Sequence, residues 1–442
     1  MTESTQRKKK TTTPTSLELP LTLATTTRLL AKGVPLVRRD WAVEWRSRLQ
    51  HLADGLALVE DPRDTRGLKH PLVSVLAIAV IAAVCGADDA ENMNLWAVRE
   101  RVWLETILEL PHGVPSQDTI LRVLAAIVPE ELSTAFLSWV EHTMGSDFAH
   151  GVHVGIDGKT ARRSGGGRGN AKPVHVVSAM VAGHNMVIGQ VATAEKSNEI
   201  TAIPRLLKLL SIKGALVSID AMGCQVEIAR VIRGRGADYL LATKENQGSL
   251  RTDLEVAFEH ALATGRRAVD DAKPLSHLSA SSVDGDHGRI EERTAWVIQR
   301  AHDCDAFDKW LPSSKRWPDL ASIVCVDAKR TNIKTNKTST ERRYFISSRS
   351  LTPEGALAGV RAHWAIENGL HWILDVVFGE DQCRVRTENA AQNLVTLRHL
   401  AHGLLRRHTG DNISVSKRRT LCDYFPHYRE FLLGSPHAVS AQ

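Results

Sequence analysis

The sequence contains few cysteines, and their spacing excludes two kinds of small domain. There are six in 442 residues, at Cys85, Cys224, Cys304, Cys325, Cys383 and Cys422. No two of them form a Cys-x-x-Cys pair, and none lies in a Cys/His cluster with the spacing of a structural zinc site. They are also too sparse for a disulfide scaffold in a chain of this length. The sequence therefore predicts a protein of the reducing cytoplasm.

Long apolar segments are almost absent as well. Residues 1–16 are polar and basic, without the apolar segment that a secretory signal requires. The one long apolar run, residues 71–87, has about 17 residues and is at the lower limit for a membrane span. Acidic residues follow it at once, at Asp88, Asp89 and Glu91. The run predicts a buried helix, and no membrane partner is expected.

The balance of charge is only slightly positive. Lys and Arg number 56 against 50 Asp and Glu, which gives a formal net charge of +6. This surplus suits an anionic partner such as DNA but is weak evidence by itself. The hydrophobic content of 43% is ordinary for a globular protein and provides a sizeable core.

The ends of the chain and its first third differ in pattern from the middle. Residues 1–35 are rich in Lys, Thr and Ser and predict a flexible basic tail. Residues 36–148 have apolar side chains at helical spacing, which predicts an all-helical N-terminal domain for DNA binding. Residues 409–442 are basic and predict a C-terminal tail.

At residue 149 the pattern changes to that of β-strands. Three predicted strands, at 153–157, 174–181 and 186–192, are followed by alternating helices and strands up to residue 247. This order is typical of an α/β fold, an RNase H-like core with a mixed five-stranded sheet. The alternation fades at 248–342, which predicts an inserted, mainly β subdomain. The core resumes at 343–408 with a helix.

Two aspartates occupy the ends of strands that are neighbours in such a fold. Asp157 ends the first strand in GIDGKT, and Asp220 ends the fourth in SIDAMG. Either one alone is more simply a residue that begins a turn. An acid at the end of an apolar strand is costly to bury unless it is paired or binds a metal. Two such acids at one sheet edge therefore predict a metal site.

A third carboxylate is expected from a helix packed on the same sheet. One predicted helix carries His363, Glu367, His371 and Asp375 at intervals of four, so these residues share a face. A solvated polar stripe is the simpler interpretation, and a His/Glu pair at this spacing would also suit zinc. Carboxylate oxygens favour Mg²⁺ or Mn²⁺, and two such ions suit a phosphoryl displacement. Helical spacing alone does not choose among Glu367, Asp375 and the nearby Glu380.

The motifs around these acids resemble the insertion-sequence As1 family of bacterial transposases, the H-repeat-associated proteins. The resemblance extends from about residue 61 to about residue 405. It is carried by DPRDTRGLKHPL (61–72), GIDGKTARRS (155–164), EKSNEITAIPRLL (195–207), SIDAMGCQVEIA (218–229), DYLLATKENQ (238–247), HGRIEERT (287–294) and HWAIENGLHWILDVVFGEDQCRVR (363–386). The Gln-Asp-Thr at 117–119 departs from the form expected in that family.

The resemblance implies a DDE transposase in which Asp157, Asp220 and Glu367 are catalytic and bind two Mg²⁺ or Mn²⁺ ions. It implies DNA strand cleavage at the ends of an insertion sequence and strand transfer to target DNA. The partners would be double-stranded terminal inverted repeats, target DNA and, because two ends are cut, a second copy of the chain. An insertion before the Glu367 helix is also implied, and the 147 positions from 220 to 367 agree with it.

Further polar residues near the same edge are predicted to contact DNA. They are Lys159, Arg162, Lys196, Asn198, Lys244, Asn246, Gln247, Arg361 and His363. For each of them, a structural hydrogen bond or a solvated loop is the simpler alternative. The Gly-rich run at 165–169 lacks the GK[ST] ending and opens no helix, so it predicts a hairpin rather than a phosphate loop.

Two other functions compete with transposition. A phosphatase with Asp157 as nucleophile would need a second Asp two positions on, where this chain has Lys159. A domesticated, catalytically silent relative would keep DNA binding without strand cleavage. The intact set of three acids argues against the silent relative.

Overall fold

The structure, a computed structural model, describes most of the chain. The described residues are 51–66, 68–145, 150–166, 172–193, 198–262, 276–286, 288–406 and 412–434. The predicted tail at 1–35 and the predicted DNA contact Lys196 lie outside them.

The first described third of the chain is helical. A helical stretch at 51–56 is followed by α1 (Leu72–Val84), α2 (Ala90–Arg99), α3 (Arg101–Leu104), α4 (Gln117–Ala126) and α5 (Pro129–Met144). Helix α1 is buried along nearly its whole length because apolar side chains cover its circumference. Asp89 and Ser116 cap α2 and α4 by accepting hydrogen bonds from the N–H groups of Asn92 and Thr119. None of the described helices is both long and apolar enough to cross a membrane.

One mixed sheet of nine strands forms the centre of the described chain. The strands are β1 (His153–Thr160), β2 (His175–Val181), β3 (Met186–Thr193), β4 (Leu216–Ile219), β5 (Asp238–Thr243), β6 (Leu278–Asp286), β7 (Arg289–Gln299), β8 (Ser322–Asn332) and β9 (Thr338–Ser347). Their order is β3-β2-β1-β4-β5-β9-β8-β7-β6. Strands β1 to β3 are antiparallel, and β4 and β5 run parallel to β1. The mixed α/β class is thereby confirmed.

The strands of the predicted mainly β insertion continue this sheet, so the sheet has nine strands and the predicted number of five was wrong. Strand β9 pairs antiparallel with β5, and β8, β7 and β6 follow in order. Without β9, strand β5 would be an edge with unpaired backbone groups, and Phe345 and Ile346 of β9 add buried apolar side chains there. The predicted boundary between 342 and 343 therefore falls inside a strand.

Helices cover the sheet and connect it to the N-terminal region. They are α6 (Glu199–Leu209), α7 (Val226–Gly234), α8 (Gly248–Leu262), α9 (Cys304–Trp310), α10 (Pro353–Ile366), α11 (Trp372–Val376) and α12 (Ala390–Arg406). Helix α10 packs on β1, β4, β6 and β7, and α6 packs on β2 and β3. Helix α12 contacts both β3 and the helices α1, α4 and α5, so it joins the sheet to the helical region.

The predicted C-terminal tail is wrong for residues 412–434. These residues contain two packed helices, α13 (Val415–Tyr424) and α14 (Pro426–Gly434). The arginines of these helices can be buried because acids and backbone carbonyls of the N-terminal helices pair with them. Arg419 contacts Asp88 Oδ1 at 2.6 Å, and the fully buried Arg429 contacts Glu100 Oε2 at 2.7 Å. The guanidinium of Arg429 also lies 4.0 Å from the ring centre of Trp103.

Candidate active site

Asp157 and Asp220 lie side by side at one edge of the sheet. In the parallel pair β1–β4, Ile156 is opposite Ile219, so the next residue on each chain is an aspartate. Neighbouring strands are about 4.8 Å apart, which brings the two aspartates together. Asp220 Oδ1 accepts hydrogen bonds from the N–H groups of Met222 at 3.1 Å and Gly223 at 3.2 Å. These bonds fix its carboxylate in the turn that ends β4.

Glu367 reaches the same place from the helix above β1. A Cβ atom on Gly155 would lie 3.7 Å from Cβ of Ile366, so α10 crosses β1 closely at this point. Strand residues two apart share a face, which places Asp157 on the side of α10. Glu367 follows Ile366 directly and is exposed. The helix therefore brings the third predicted acid beside Asp157.

The pKa of Asp157 reflects its burial and the carboxylates near it. Burial is the largest cause and raises the pKa of Asp157 from 3.8 to about 7. The N–H of Gly158, 2.8 Å from Oδ1, lowers that pKa. Negative charge on neighbouring carboxylates also contributes to the rise to about 7, in the order Asp220, Glu367 and Glu199. A buried carboxyl among like charges is a group that a bound cation would stabilise in its ionised form.

His371 also faces this site. Its Nδ1 lies 3.5 Å from Asp157 Oδ2, and burial lowers the pKa of the imidazole to about 3. The ring is therefore neutral and does not neutralise Asp157. The sequence placed His371 on the polar stripe of this helix but assigned it no role. Its interval of four from Glu367 was the signal that could have included it.

His363 makes structural hydrogen bonds within the site. Its Nδ1 lies 2.9 Å from Ser218 Oγ, and Ser218 Oγ lies 2.6 Å from His153 Nε2. Burial lowers the pKa of His363 as well. This buried chain ties α10 to β4, two residues before Asp220. The bond to Ser218 is the structural alternative for His363, and its predicted contact with DNA stays a prediction.

Lys159, another predicted DNA contact, is paired with acids of its own chain. Its Nζ lies 2.6 Å from Asp375 Oδ1, 3.0 Å from Glu380 Oε2 and 3.8 Å from Asp381 Oδ1. The side chain is 11% exposed, since these carboxylates enclose it. Lys159 thus fastens the segment after α11 to the strand that carries Asp157. Arg162 pairs with Asp381 at 3.3 Å but remains 80% exposed, so it stays accessible to DNA.

Two other predicted DNA contacts hold the loop after Asp220. Asn246 donates a hydrogen bond from Nδ2 to the carbonyl of Ala221 at 2.7 Å. Gln247 donates from Nε2 to the carbonyl of Cys224 at 2.8 Å. These bonds give Asn246 and Gln247 the structural role that is the alternative to a contact with DNA. Lys244, beside them, is exposed.

Glu199 and His175 form a buried pair beneath β1. His175 Nε2 lies 2.7 Å from Glu199 Oε1, and His175 Nδ1 lies 2.7 Å from Thr160 Oγ1. A Cβ atom on Gly158 would lie 2.5 Å from Glu199 Oε1, so only glycine fits beside Asp157. The sequence placed Glu199 in a polar run near the active edge without a role. The neighbouring Asn198 is exposed at the start of α6.

A cavity of about 1010 Å³ lies on the adjacent face of the helix that carries Glu367. Its lining includes Arg289, Arg293, Arg330, Arg361, Trp364 and Trp372. Arg361 pairs with Asp284 at 2.5 Å, while Trp372 is 55% exposed. Asp284 and Glu291 also line the cavity and pair with Arg293 and Arg330, which neutralises part of its positive charge. Trp364 is half-buried, so Trp372 is the ring that a stacked base could reach.

The donor chemistry of the site fits a hard divalent cation. Among the described residues, no group of three or more His, Cys, Asp and Glu side chains stands ready to hold a metal ion. The acids that meet at the sheet edge offer carboxylate oxygens, the ligands that Mg²⁺ and Mn²⁺ prefer. Repulsion among Asp157, Asp220 and Glu367 supports the same assignment, because a cation would relieve it.

Comparison with known proteins identifies two matching family models. Residues 53–140 match the model described as DDE_Tnp_1-associated, and residues 149–404 match the model of the transposase DDE domain. A solved structure, the piggyBac transposase synaptic complex with hairpin DNA, aligns at a TM-score of 0.33 with 11% identity. That alignment covers 87% of this chain and 78% of the other and is too weak to support an inference.

Sequence relatives cover most of the chain. "H repeat-associated putative transposase YhhI" of Escherichia coli K12 is 35% identical over 359 residues, which is 81% of this chain and 90% of the relative. "Putative transposase YncI" of Escherichia coli O157:H7 is 35% identical over 361 residues, 81% of this chain and 88% of the relative. The chain belongs to the DDE transposase family, together with these H-repeat-associated relatives.

Proposed function

We propose that this protein cleaves DNA at the ends of an insertion sequence and transfers the freed strands to target DNA. The observation that carries the proposal is that Asp157 and Asp220 end neighbouring paired strands, and that the charges of Asp220 and Glu367 help to raise the pKa of Asp157 to about 7. An acid held in this way is suited to binding a cation. Strands β1 to β5 would then form an RNase H-like catalytic core.

Each acid has a distinct part in this proposal. Asp157 and Asp220 would hold the metal ions from the rigid sheet, and Glu367 from the helix above. When bound, two Mg²⁺ or Mn²⁺ ions activate the attacking hydroxyl and stabilise the leaving oxygen of an in-line phosphoryl displacement. In cleavage, a water oxygen bonds to phosphorus and a 3′-hydroxyl leaves. In transfer, that 3′-hydroxyl loses its proton and its oxygen bonds to a phosphorus of the target, while the target's own 3′-oxygen leaves.

Residues around the three acids would fix the positions of their carboxylates. The chain His153–Ser218–His363 fixes α10 on β4, and Asn246 and Gln247 fix the loop that follows Asp220. Catalytic groups need placement within a fraction of an ångström, so these buried contacts support activity without touching DNA.

DNA is the proposed partner on the face beside Glu367. Arg162 and Lys244 are exposed and can bind phosphates, and the cavity beside Trp364 and Trp372 adds arginines and aromatic rings. The helical region would contribute further DNA contacts. Cleavage of two terminal inverted repeats calls for a homodimer in the synaptic complex, acting in the cytoplasm.

The test uses a linear DNA that carries the inverted repeats flanking the gene, with Mg²⁺ or Mn²⁺. We expect Asp157→Asn, Asp220→Asn and Glu367→Gln each to abolish strand cleavage while leaving binding to the repeats intact. Asp375→Asn is the matched control on the same helix, because Lys159 keeps Glu380 and Asp381 as partners. Cleavage by Glu367→Gln at the rate of the unchanged protein would reject Glu367. Binding without any metal-dependent cleavage by the unchanged protein would instead indicate the catalytically silent relative.

A further inference from the structure

The helix that carries Glu367 changes its winding where it passes the acids. Between α10 and α11, residues Glu367–His371 form a single π-helical turn. The N–H of Trp372 bonds to the carbonyl of Glu367, five residues back. Single π turns within α-helices are rare and often coincide with functional sites. Here the turn begins at the predicted metal ligand and ends at His371, beside Asp157.

Gly369, in the middle of the π turn, lies against the connection between β2 and β3. A Cβ atom on Gly369 would be 2.6 Å from Oδ1 of Asn185 and 3.1 Å from its Cγ. Asn185 has a φ of 50°, a left-handed conformation that glycine also adopts readily. Glycine is unfavourable inside a helix, so a requirement for close approach explains its presence here.

A second contact reaches the same residue from α12. His402 Nε2 lies 2.9 Å from the carbonyl oxygen of Gly369. His402 is fully buried, and burial lowers the pKa of its ring to about 3, so the imidazole is neutral. Only an N–H group can pair with a carbonyl oxygen, which places the proton on Nε2. Gly369 thus leaves room for Asn185 on one side of the π turn and accepts a hydrogen bond from α12 on the other.

A return to α-helical winding would shift the two halves of this helix relative to each other. Ile366 and His363 fix the half before the turn against β1 and β4, and Lys159 holds Asp375 in the half after it, so the residues of the turn, which begins at Glu367, would have to move. We propose that Gly369 and His402 are positioning residues that hold this turn so that the Glu367 carboxylate meets Asp157 and Asp220. The proposal rests on the metal-binding role given to Glu367 above.

The test measures Mn²⁺ binding to the full-length chain by electron paramagnetic resonance of free Mn²⁺, together with DNA cleavage and thermal unfolding. Gly369→Ala and His402→Leu are each expected to weaken Mn²⁺ binding about 10- to 100-fold, the usual effect of losing an outer-shell support. Asn185→Gly is the control and should bind Mn²⁺ normally. The double variant Gly369→Ala with Asn185→Gly removes the clash and should recover binding. His402→Gln keeps a donor and should recover part of it.

Several results would overturn the proposal. Normal Mn²⁺ binding by both Gly369→Ala and His402→Leu would do so. Weak binding in the double variant, with a melting temperature equal to that of the unchanged protein, would also overturn it, because the contact with Asn185 would then be irrelevant. If a single variant does not fold, the double variant and His402→Gln decide. A chain that binds Mn²⁺ through Asp157 but cleaves no DNA would reject the proposed function and leave this inference testable by binding.

Discussion

Replacing Asp157 with asparagine should make the metal-free protein more stable at neutral and alkaline pH. In the folded chain, burial and neighbouring carboxylates raise the pKa of Asp157 from 3.8 to about 7. The unfolded chain has the ordinary pKa. Folding therefore disfavours the ionised carboxyl, and asparagine removes that penalty while keeping a similar shape.

The size and sign of the effect follow from proton linkage. A pKa difference of about three, at about 1.4 kcal/mol for each pH unit, gives at most about 4 kcal/mol in the free energy of unfolding. Below pH 3.8 the carboxyl is protonated in both states, so the substitution should have little effect. The stabilisation should grow between pH 4 and about 7, where only the unfolded chain is ionised, and stay constant above.

Urea denaturation in EDTA at pH 5, 6, 7 and 8 measures this difference. Asp375→Asn is the control with the opposite sign, since Asp375 is paired with Lys159 at 2.6 Å. Added Mg²⁺ should stabilise the unchanged protein and have little effect on Asp157→Asn. An Asp157→Asn variant that is less stable by the same amount at every pH would refute the reasoning.

Three further changes test other parts of the structure. Lys159→Met should cost about 3–5 kcal/mol in the free energy of unfolding, because it leaves Glu380, 2% exposed, without its nearest cation; unchanged urea denaturation would contradict this. Arg429→Leu should cost a similar amount, since it removes a fully buried guanidinium and leaves Glu100 with Arg99 alone, whereas the control Arg230→Leu, at an exposed ion pair, should change the free energy of unfolding by less than about 1 kcal/mol. Trp372→Ala should weaken DNA binding by about 1–3 kcal/mol for one stacked base without lowering the melting temperature; equal binding in a filter assay would exclude Trp372.

The sheet edge was predictable because its signals are local. Apolar, β-branched residues precede both Asp157 and Asp220, so each strand and its acidic end can be recognised from a few residues. The strand predicted at 238–243 coincides with β5. Once the strands were ordered as in a known fold, the meeting of the two acids followed from the register of parallel strands.

The extent of the sheet was not predictable because it depends on distant pairing. Strand β6 (Leu278–Asp286) is rich in serine and aspartate and has little apolar alternation, so its sequence gives no strand signal. It forms because β7 pairs with it along nine residues. Likewise, nothing local in β9 indicates that its partner is β5, about a hundred residues earlier in the chain.

Charge was the most misleading sequence feature, because a charged residue's role depends on its partner in the fold. The sequence predicts that Lys159 contacts DNA and that Arg419 lies in a basic tail, yet each is held by acids or carbonyls of the fold. The same reasoning resolves the choice that helical spacing left open among the acids of the Glu367 helix and the segment after it. Asp375 and Glu380 are paired with Lys159, whereas Glu367 is exposed and its charge acts on Asp157. An acid whose charge is already neutralised by a lysine has less affinity for a metal ion, and this favours Glu367 as the proposed third ligand.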